Sequence, residues 1–183
     1  MKTQLASFNN SWYRPGSKLK IVLWYFCNAL FLKNKYNPSS GLRKLVLRLF
    51  GAKIGTGVLL KPSISVKYPW KLTIGNNVWI GEAVWIDNLD VVTIGNNVCI
   101  SQGALLLCGN HNYKKPTFDL MVKPITLKDG VWIGAKAVVV QGIVCGEESV
   151  LSVQSVANTN LEPYAIYQGN PAVKIRERII DEA

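Results

Sequence analysis

The sequence has little of the chemistry that metal centres and disulfide frameworks require. It contains one histidine, His111, among 183 residues, whereas zinc sites use several histidine or cysteine ligands together. Its four cysteines have no CxxC spacing, and Cys145 falls where a small apolar core residue is expected. We therefore expect no metal, and reduced thiols in a cytoplasmic protein.

Acidic residues are absent from the first 81 positions, which carry 13 lysines and arginines. The rest of the chain has 8 basic and 11 acidic residues, so the net charge of +10 comes from the N-terminal region. Such a region favours an anionic membrane surface or an anionic substrate. Nucleic acid is not expected as a partner, because no nucleic-acid-binding motif accompanies the charge.

The sequence also lacks an apolar run long enough to cross a bilayer. Residues 21–32 form an apolar stretch of 12 residues between lysines, whereas a membrane span needs about 20. No small-residue cleavage site of a secretory signal follows it. Two interpretations remain open for this predicted helix. It caps the end of the fold, or it lies in the membrane interface with Trp24, Tyr25 and Phe31 as anchors.

A second helix is predicted over residues 42–50, where apolar side chains recur at helical spacing and Gly51 ends the pattern. Arg43, Lys44 and Arg48 stand between them. Packing on the rest of the protein and contact with a membrane are both open for this basic amphipathic helix. Residues 1–20 are expected to form a loosely ordered arm.

The sequence is rich in a six-residue period of small aliphatic side chains. After residue 126 the period is unbroken at Leu127, Ile133, Val139, Cys145, Leu151 and Ala157. It also runs through Ile74, Ile80 and Ile86 and then, after a two-residue shift, through Ile94, Ile100 and Leu106. A period of six fits neither a helix nor a simple strand, and such short repeats bury their apolar side by stacking. We predict a mostly β fold, a left-handed parallel β-helix.

Glycines directly after many of these residues are predicted to supply the positive φ that a tight corner needs. They are Gly75, Gly81, Gly95, Gly134 and Gly146. The predicted organisation is a basic, partly helical region over 1–53, the β-helix over 54–168 with a protruding loop at about 107–126, and a basic tail over 169–183. Excursions from a solenoid usually build its binding face.

Several motifs together resemble the hexapeptide-repeat acyltransferases, and among them the O-acetyltransferases of bacterial exopolysaccharide synthesis of the colanic-acid type. They are Phe50-Gly51-Ala52-Lys53-Ile54-Gly55, Val92-Thr93-Ile94-Gly95, Gly109-Asn110-His111-Asn112-Tyr113, Lys123-Pro124-Ile125 and Gly169-Asn170-Pro171-Ala172. The resemblance implies a homotrimer with active sites between subunits, acetyl-CoA as co-substrate, and a saccharide hydroxyl as acceptor.

The chain departs from the family pattern at two places. Asn110-His111-Asn112 stands where family members usually have Ser-His-Asp, so the residue after the histidine is no carboxylate. Val173 separates the closing Pro-Ala from Lys174. The first difference leaves open what orients the imidazole, and the second leaves open which cation meets the coenzyme.

The resemblance also implies roles for individual residues. His111 would be the catalytic base, since an imidazole has an unperturbed pKa of about 6.5. Asn88 would hold the acceptor hydroxyl. Asp119 is a separate candidate to orient the imidazole, since Asn112 cannot do so as an anion. The coenzyme would lie against Trp132, Gly134, Ala135, Lys136, Gly142, Lys174 and Arg176, with the Ala135 amide facing the oxyanion and the cations meeting phosphates.

Three functions follow from these expectations. The first is acetyl transfer from acetyl-CoA to a nucleotide- or lipid-linked saccharide near the inner membrane, where the basic region would hold the enzyme against anionic lipid or a polyprenyl diphosphate. The second is a non-catalytic β-helix that organises partners. The third is an acyltransferase with a longer acyl donor.

Overall fold

The computed structural model describes residues 2–181. Two helices precede the β structure: α1 (Lys18–Cys27), which continues as a π-helical turn over Asn28–Leu32, and α2 (Ser40–Leu49). Short 3-10 turns lie at Leu5–Ser7 and Pro69–Lys71. None of the helices in this part of the chain has the length and apolarity that crossing a membrane requires.

The β-helix has five coils of three short strands each. The first two coils are β1 (Lys53–Ile54), β2 (Leu59–Leu60), β3 (Ser65–Val66), β4 (Leu72–Ile74), β5 (Trp79–Ile80) and β6 (Trp85–Asp87). The third is β7 (Val92–Ile94), β8 (Cys99–Ile100) and β9 (Leu105–Leu107), and the hairpin β10 (Gly109–His111) and β11 (Leu120–Val122) follows it. The last two are β12 (Ile125–Leu127), β13 (Trp132–Ile133), β14 (Val138–Val140), β15 (Val144–Cys145), β16 (Val150–Leu151) and β17 (Val156–Ala157).

Parallel pairing between coils builds three flat faces. The first face has the order β1-β4-β7-β12-β15, the second contains β2-β5-β8-β13-β16, and the third is β3-β6-β9-β14-β17. A final antiparallel pair, β18 (Ala165–Gly169) and β19 (Ala172–Glu177), extends the second face. The predicted parallel β-helix is therefore confirmed.

The six-residue period marks the side chains that fill the interior. Every residue of the unbroken series from Leu127 to Ala157 is at most 1% exposed. The aliphatic side chains two positions before residues of the period are also buried, for example Val78, Val98 and Val131. Burial of a complete aliphatic side chain contributes about 1.5–3 kcal/mol to the stability of the fold. The buried side chains of successive coils together form one continuous core.

The glycines after the core residues serve a different purpose from the one predicted. Positive φ occurs two residues later, at Asn77, Asn97 and Lys136 among others. At Gly134, an added Cβ would lie 2.6 Å from the Val153 backbone nitrogen of the next coil, and Gly75 and Gly146 have equally close backbone neighbours. Glycine is needed there because successive coils approach too closely for a side chain.

The three corners of the β-helix differ in regularity. Two corners always have four residues, and we call the one between the second and third faces, for example 101–104 and 134–137, the regular corner. The corner between the third and first faces, the enlarged corner, has five, four and seventeen residues after the first three coils and three after the fourth. The two interruptions of the period, the two-residue shift and the long loop, therefore both lie at the enlarged corner, in successive coils.

The N-terminal helices cover the first coil. Trp24, Leu32, Val46 and Leu47 join the hydrophobic core, which supports the capping interpretation. The cations of α2 point inward and bind carbonyls of the first coil that no strand pairs with: Arg43 donates to Leu60, Lys44 to Val58 and Arg48 to Ile54. Burial lowers the pKa of Arg43.

The N-terminal arm is more ordered than expected. The Gln4 amide donates to the Pro116 carbonyl, and the Trp70 indole donates to the Pro15 carbonyl. The Tyr13 hydroxyl donates to the Leu89 carbonyl. The described part of the arm, although mostly exposed, is thus bonded to the enlarged corner, and the prediction of a loose arm is wrong for it.

Candidate active site

His111 lies at the end of β10, on the hairpin that projects from the enlarged corner. Its Nδ1 is 2.8 Å from the Phe118 carbonyl oxygen, and the Phe118 ring stacks on the imidazole with centroids 4.4 Å apart. A carbonyl only accepts hydrogen bonds, so Nδ1 carries the proton in the neutral ring. Nε2 then has a free lone pair, as a general base requires.

Asp119 does not contact the imidazole. Its carboxylate accepts hydrogen bonds from Thr117 Oγ1 at 2.6 Å and from Lys115 Nζ at 2.9 Å. These bonds, with that from Thr117 the stronger influence, lower the pKa of Asp119. The carboxylate thus closes the turn whose middle residue, Phe118, presents its carbonyl to His111.

A cavity of ≈ 380 Å³ opens beside His111. Its walls come from the enlarged corner and from the arm, and they include Phe8, Tyr13, Lys67 and Tyr68. The Phe8 ring lies 5.6 Å from the imidazole, centroid to centroid. Burial raises the pKa of both tyrosine hydroxyls, so they remain neutral hydrogen-bonding groups.

Asn88 is fully buried behind this cavity. Its Oδ1 accepts from the Tyr68 amide at 2.9 Å, and its Nδ2 donates to the Tyr68 carbonyl at 2.7 Å. The side chain therefore fixes the backbone of a residue that lines the cavity. Nearby Asp87, also buried, forms an ion pair with Lys67 at 3.4 Å.

Three of the predicted coenzyme residues meet at a different place. Trp132, Gly134 and Ala135 line a groove of ≈ 510 Å³ along the second face and the regular corner. The Trp132 indole donates to Ser101 Oγ at 3.0 Å. In residues 2–181 the Ala135 amide has no hydrogen-bond partner, so it is available to a ligand.

The other predicted coenzyme residues lie around this groove or away from it. Lys136 follows Ala135 at the regular corner and is exposed, and Arg176 is exposed on β19. Lys174 forms ion pairs with Glu162 and Glu177, both at 2.7 Å. Gly142 lies at the enlarged corner, where an added Cβ would meet Lys123.

His111 and the groove occupy different corners of one chain. Within the described residues there is no group of three or more His, Cys, Asp or Glu side chains that could hold a metal, and the four cysteines are free.

Sequence reasoning missed five residues of the site, namely Phe8, Tyr13, Lys67, Tyr68 and Phe118. Phe118 acts through its backbone carbonyl, which leaves no mark on the sequence. The other four come from the arm and from the corner after the first coil, and only the fold brings them to the histidine.

Comparison with known proteins shows which family has this fold. WcaF of Escherichia coli (strain K12), which is named as a colanic acid biosynthesis acetyltransferase, is 35% identical over 170 residues, 93% of each chain. The chain belongs to the hexapeptide-repeat acetyltransferase family. The galactoside O-acetyltransferase of the same strain is 28% identical over 138 residues, which cover 74% of this chain and 68% of that protein.

A solved structure agrees with this assignment. A hexapeptide-repeat acetyltransferase from Vibrio cholerae superposes with a TM-score of 0.78 at 25% identity, covering 88% of this chain and 94% of that one. Comparison with protein-family models finds no match. The family resemblance, the β-helical fold and the acetyltransferase class expected from the sequence are therefore confirmed for this acetyltransferase.

Proposed function

We propose that this acetyltransferase transfers the acetyl group of acetyl-CoA to a hydroxyl of a saccharide in exopolysaccharide or surface-glycan synthesis. The observation that carries the proposal is the imidazole of His111, held by the Phe118 carbonyl so that Nε2 is free to accept a proton. The name of WcaF supports the biosynthetic setting. The Vibrio cholerae protein has been solved in complex with acetyl-CoA, which supports the donor.

The proposed reaction is a direct transfer. The acceptor hydroxyl oxygen attacks the thioester carbonyl carbon while its proton passes to Nε2 of His111. The negative charge on the carbonyl oxygen is stabilised by the free amide of Ala135, since such donors act where charge develops. The carbon–sulfur bond then breaks, and the coenzyme thiolate takes the proton from the imidazolium.

We assign positioning roles to two residues that the sequence suggested as catalytic. Asp119 stabilises the turn that presents the Phe118 carbonyl, and Asn88 fixes Tyr68 at the cavity wall. Aromatic rings pack on the apolar faces of sugars, so the cavity of Phe8, Tyr13 and Tyr68 suits a saccharide. Lys67 at its edge offers a hydrogen-bond donor to the acceptor, although its charge is matched by Asp87.

The donor would lie in the groove at Trp132, Gly134 and Ala135, with Lys136 and Arg176 as the cations for its phosphates. Gly142 and Lys174 would be less direct contacts, because Gly142 packs on Lys123 and the charge of Lys174 is matched by two carboxylates.

We further propose a homotrimer in which each site combines the His111 hairpin of one copy with the groove of another. The outward side chains of the second face are largely apolar: Leu59, Trp79, Cys99, Trp132 and Val150. Those of the third face are Ser65, Trp85, Leu105, Val138 and Val156, whereas the first face presents mainly threonines. Two apolar faces per copy suit a closed ring, in which each copy contacts two neighbours.

The donor and acceptor are tested by measuring coenzyme release from acetyl-CoA across a panel of neutral, acidic and lipid-linked saccharides. We expect release only when an acceptor is present, and less release with longer acyl donors. Acetyl-CoA should also raise the thermal midpoint, because a ligand of the native state stabilises it. Absence of both effects would favour a non-catalytic scaffold.

The shared site has a sharper test. His111→Ala removes the base, and Val153→Trp fills the groove, which Val153 lines at the surface. Each variant alone should be inactive. Co-expression of the two should restore activity, because some sites then combine an intact hairpin with an intact groove. If the mixture stays inactive while both variants form trimers with each other, the site lies within one copy.

A further inference from the structure

The helices of the cap expose an apolar surface that the β-helix does not use. On α1 and the π-helical turn, Leu19, Val22, Leu23, Phe26 and Leu30 are all more than half exposed. Leu19, Leu23, Phe26 and Leu30 recur every three or four residues, with Val22 beside them, on the side opposite the buried Trp24. On α2, Leu42, Leu45 and Leu49 are exposed, the last at 75%. We call these eight side chains the outer apolar face.

The helix α2 packs Val46 and Leu47 into the core, but its charges and three of its leucines are placed unlike those of an ordinary surface helix. Such a helix turns its charges to water and its leucines to the core. Here Arg43, Lys44 and Arg48 are directed to carbonyls of the first coil, and three leucines face outward. The cations are held by hydrogen bonds, so the helix cannot rotate to hide its leucines without leaving those carbonyls unpaired.

The surroundings of this surface are uniformly basic. Lys18, Lys33 and Lys35 are exposed at the ends of the apolar segment, and residues 2–81 contain no acidic side chain. A second copy of the chain is a poor partner for the surface, because two identical cationic rims would repel each other. An apolar helix face with a lysine rim is instead typical of helices that lie in the interface of an anionic bilayer.

We propose that the outer apolar face inserts into the headgroup region of an anionic phospholipid bilayer, with the exposed lysines near the lipid phosphates. The sequence left capping and membrane contact as alternatives. In this proposal both apply, because one side of the helices covers the first coil and the other side contacts the membrane. The inference does not depend on the reaction. If the protein is also the trimer proposed above, a threefold axis places three such faces at one level, and binding is strengthened by their linkage.

The experiment is flotation of the full chain with vesicles of phosphatidylcholine alone and of phosphatidylcholine mixed with phosphatidylglycerol. The wild-type protein should float with the anionic vesicles, and less so at raised salt. Leu23→Glu combined with Phe26→Glu should lower the bound fraction by about tenfold or more, since apolar burial drives such insertion. Ile179→Glu is the control, because that residue is exposed beyond β19, after the last coil.

A second variant separates charge from apolar contact. Lys33→Gln combined with Lys35→Gln should weaken binding to anionic vesicles several-fold and leave coenzyme release unchanged. All substituted side chains are exposed, so each variant should keep the wild-type thermal midpoint.

Two results would overturn the proposal. One is wild-type protein that floats with neither kind of vesicle. The other is a Leu23→Glu, Phe26→Glu variant that floats normally but changes its mass in light scattering, which would make the surface a contact between copies.

Discussion

The regular corner and the enlarged corner of the β-helix differ in length and in the side chains that they carry. At the regular corner, four residues connect each pair of strands, glycines such as Gly134 touch the backbone of the next coil, and the wall of a groove results. At the enlarged corner, extra residues of variable number carry aromatic, cationic and histidine side chains. The repeat therefore provides a rigid surface, and the interruptions provide the chemistry, as loops on rigid scaffolds commonly do.

The largest effect is expected at the enlarged corner. His111→Ala should reduce turnover by about 10²–10⁴-fold, because the alcohol loses its general base. Coenzyme affinity, measured by calorimetry, should change little, since the groove lies at the regular corner. Lys114→Ala, an exposed substitution on the same hairpin, should keep wild-type turnover. Full activity without His111 would contradict the mechanism.

At the regular corner the expected effect is on stability. Gly134→Ala places a Cβ within 2.6 to 2.8 Å of three backbone atoms of the next coil, and such overpacking costs about 1–3 kcal/mol. Gly41→Ala, where the nearest atom is 3.7 Å away, should be neutral or stabilising in α2. Chemical denaturation compares them, and equal stabilities would refute the close-approach explanation.

Asn88→Ala tests whether a buried side chain fixes the backbone of the enlarged corner. The change leaves the Tyr68 amide and carbonyl without their partner, and an unpaired buried group costs about 1–3 kcal/mol. We expect lower stability together with a raised KM for the acceptor and little change in the KM for acetyl-CoA. A change in donor KM alone would place Asn88 in the coenzyme site instead.

Phe118→Ala should have the smallest effect of the four. The variant loses the ring stacked on His111 and keeps the carbonyl that holds Nδ1. Turnover should fall by less than about tenfold, since an aromatic pair contributes about 0.5–1.5 kcal/mol. Phe118→Tyr, which retains the stacked ring, should recover most of it. A loss as large as that of His111→Ala would show that the ring, and not the carbonyl, positions the base.

Periodicity was enough to predict the core, because each inward position of a β-helix recurs after six residues and must be small and apolar. The glycines were predicted correctly as special positions but for the wrong reason, since Gly134 is limited by contact with Val153 in a later coil. Such contacts depend on the register between coils, which no local pattern reveals.

The site was less predictable than the fold. His111 stood out as a lone histidine at the break in the repeat, and Trp132 and Ala135 were expected at the groove that they line. The partner of Asn88 could not be predicted from a motif, because Tyr68 lies 20 residues earlier and is brought near by the stacking of coils. Asp119 instead binds its sequence neighbours Thr117 and Lys115, where contact with the imidazole had been expected. The inward direction of the α2 cations was hidden because an amphipathic pattern does not say which side faces the protein.

The hydrogen bonds from Arg43, Lys44 and Arg48 to the first coil also bear on aggregation. An uncovered terminal coil would offer a row of carbonyls to a strand of another molecule, and open sheet edges of this kind promote fibre growth. Guanidinium and ammonium groups occupy these carbonyls without providing a strand edge of their own. The cap therefore removes from the first coil a set of acceptors with which a strand of another β-helix could pair.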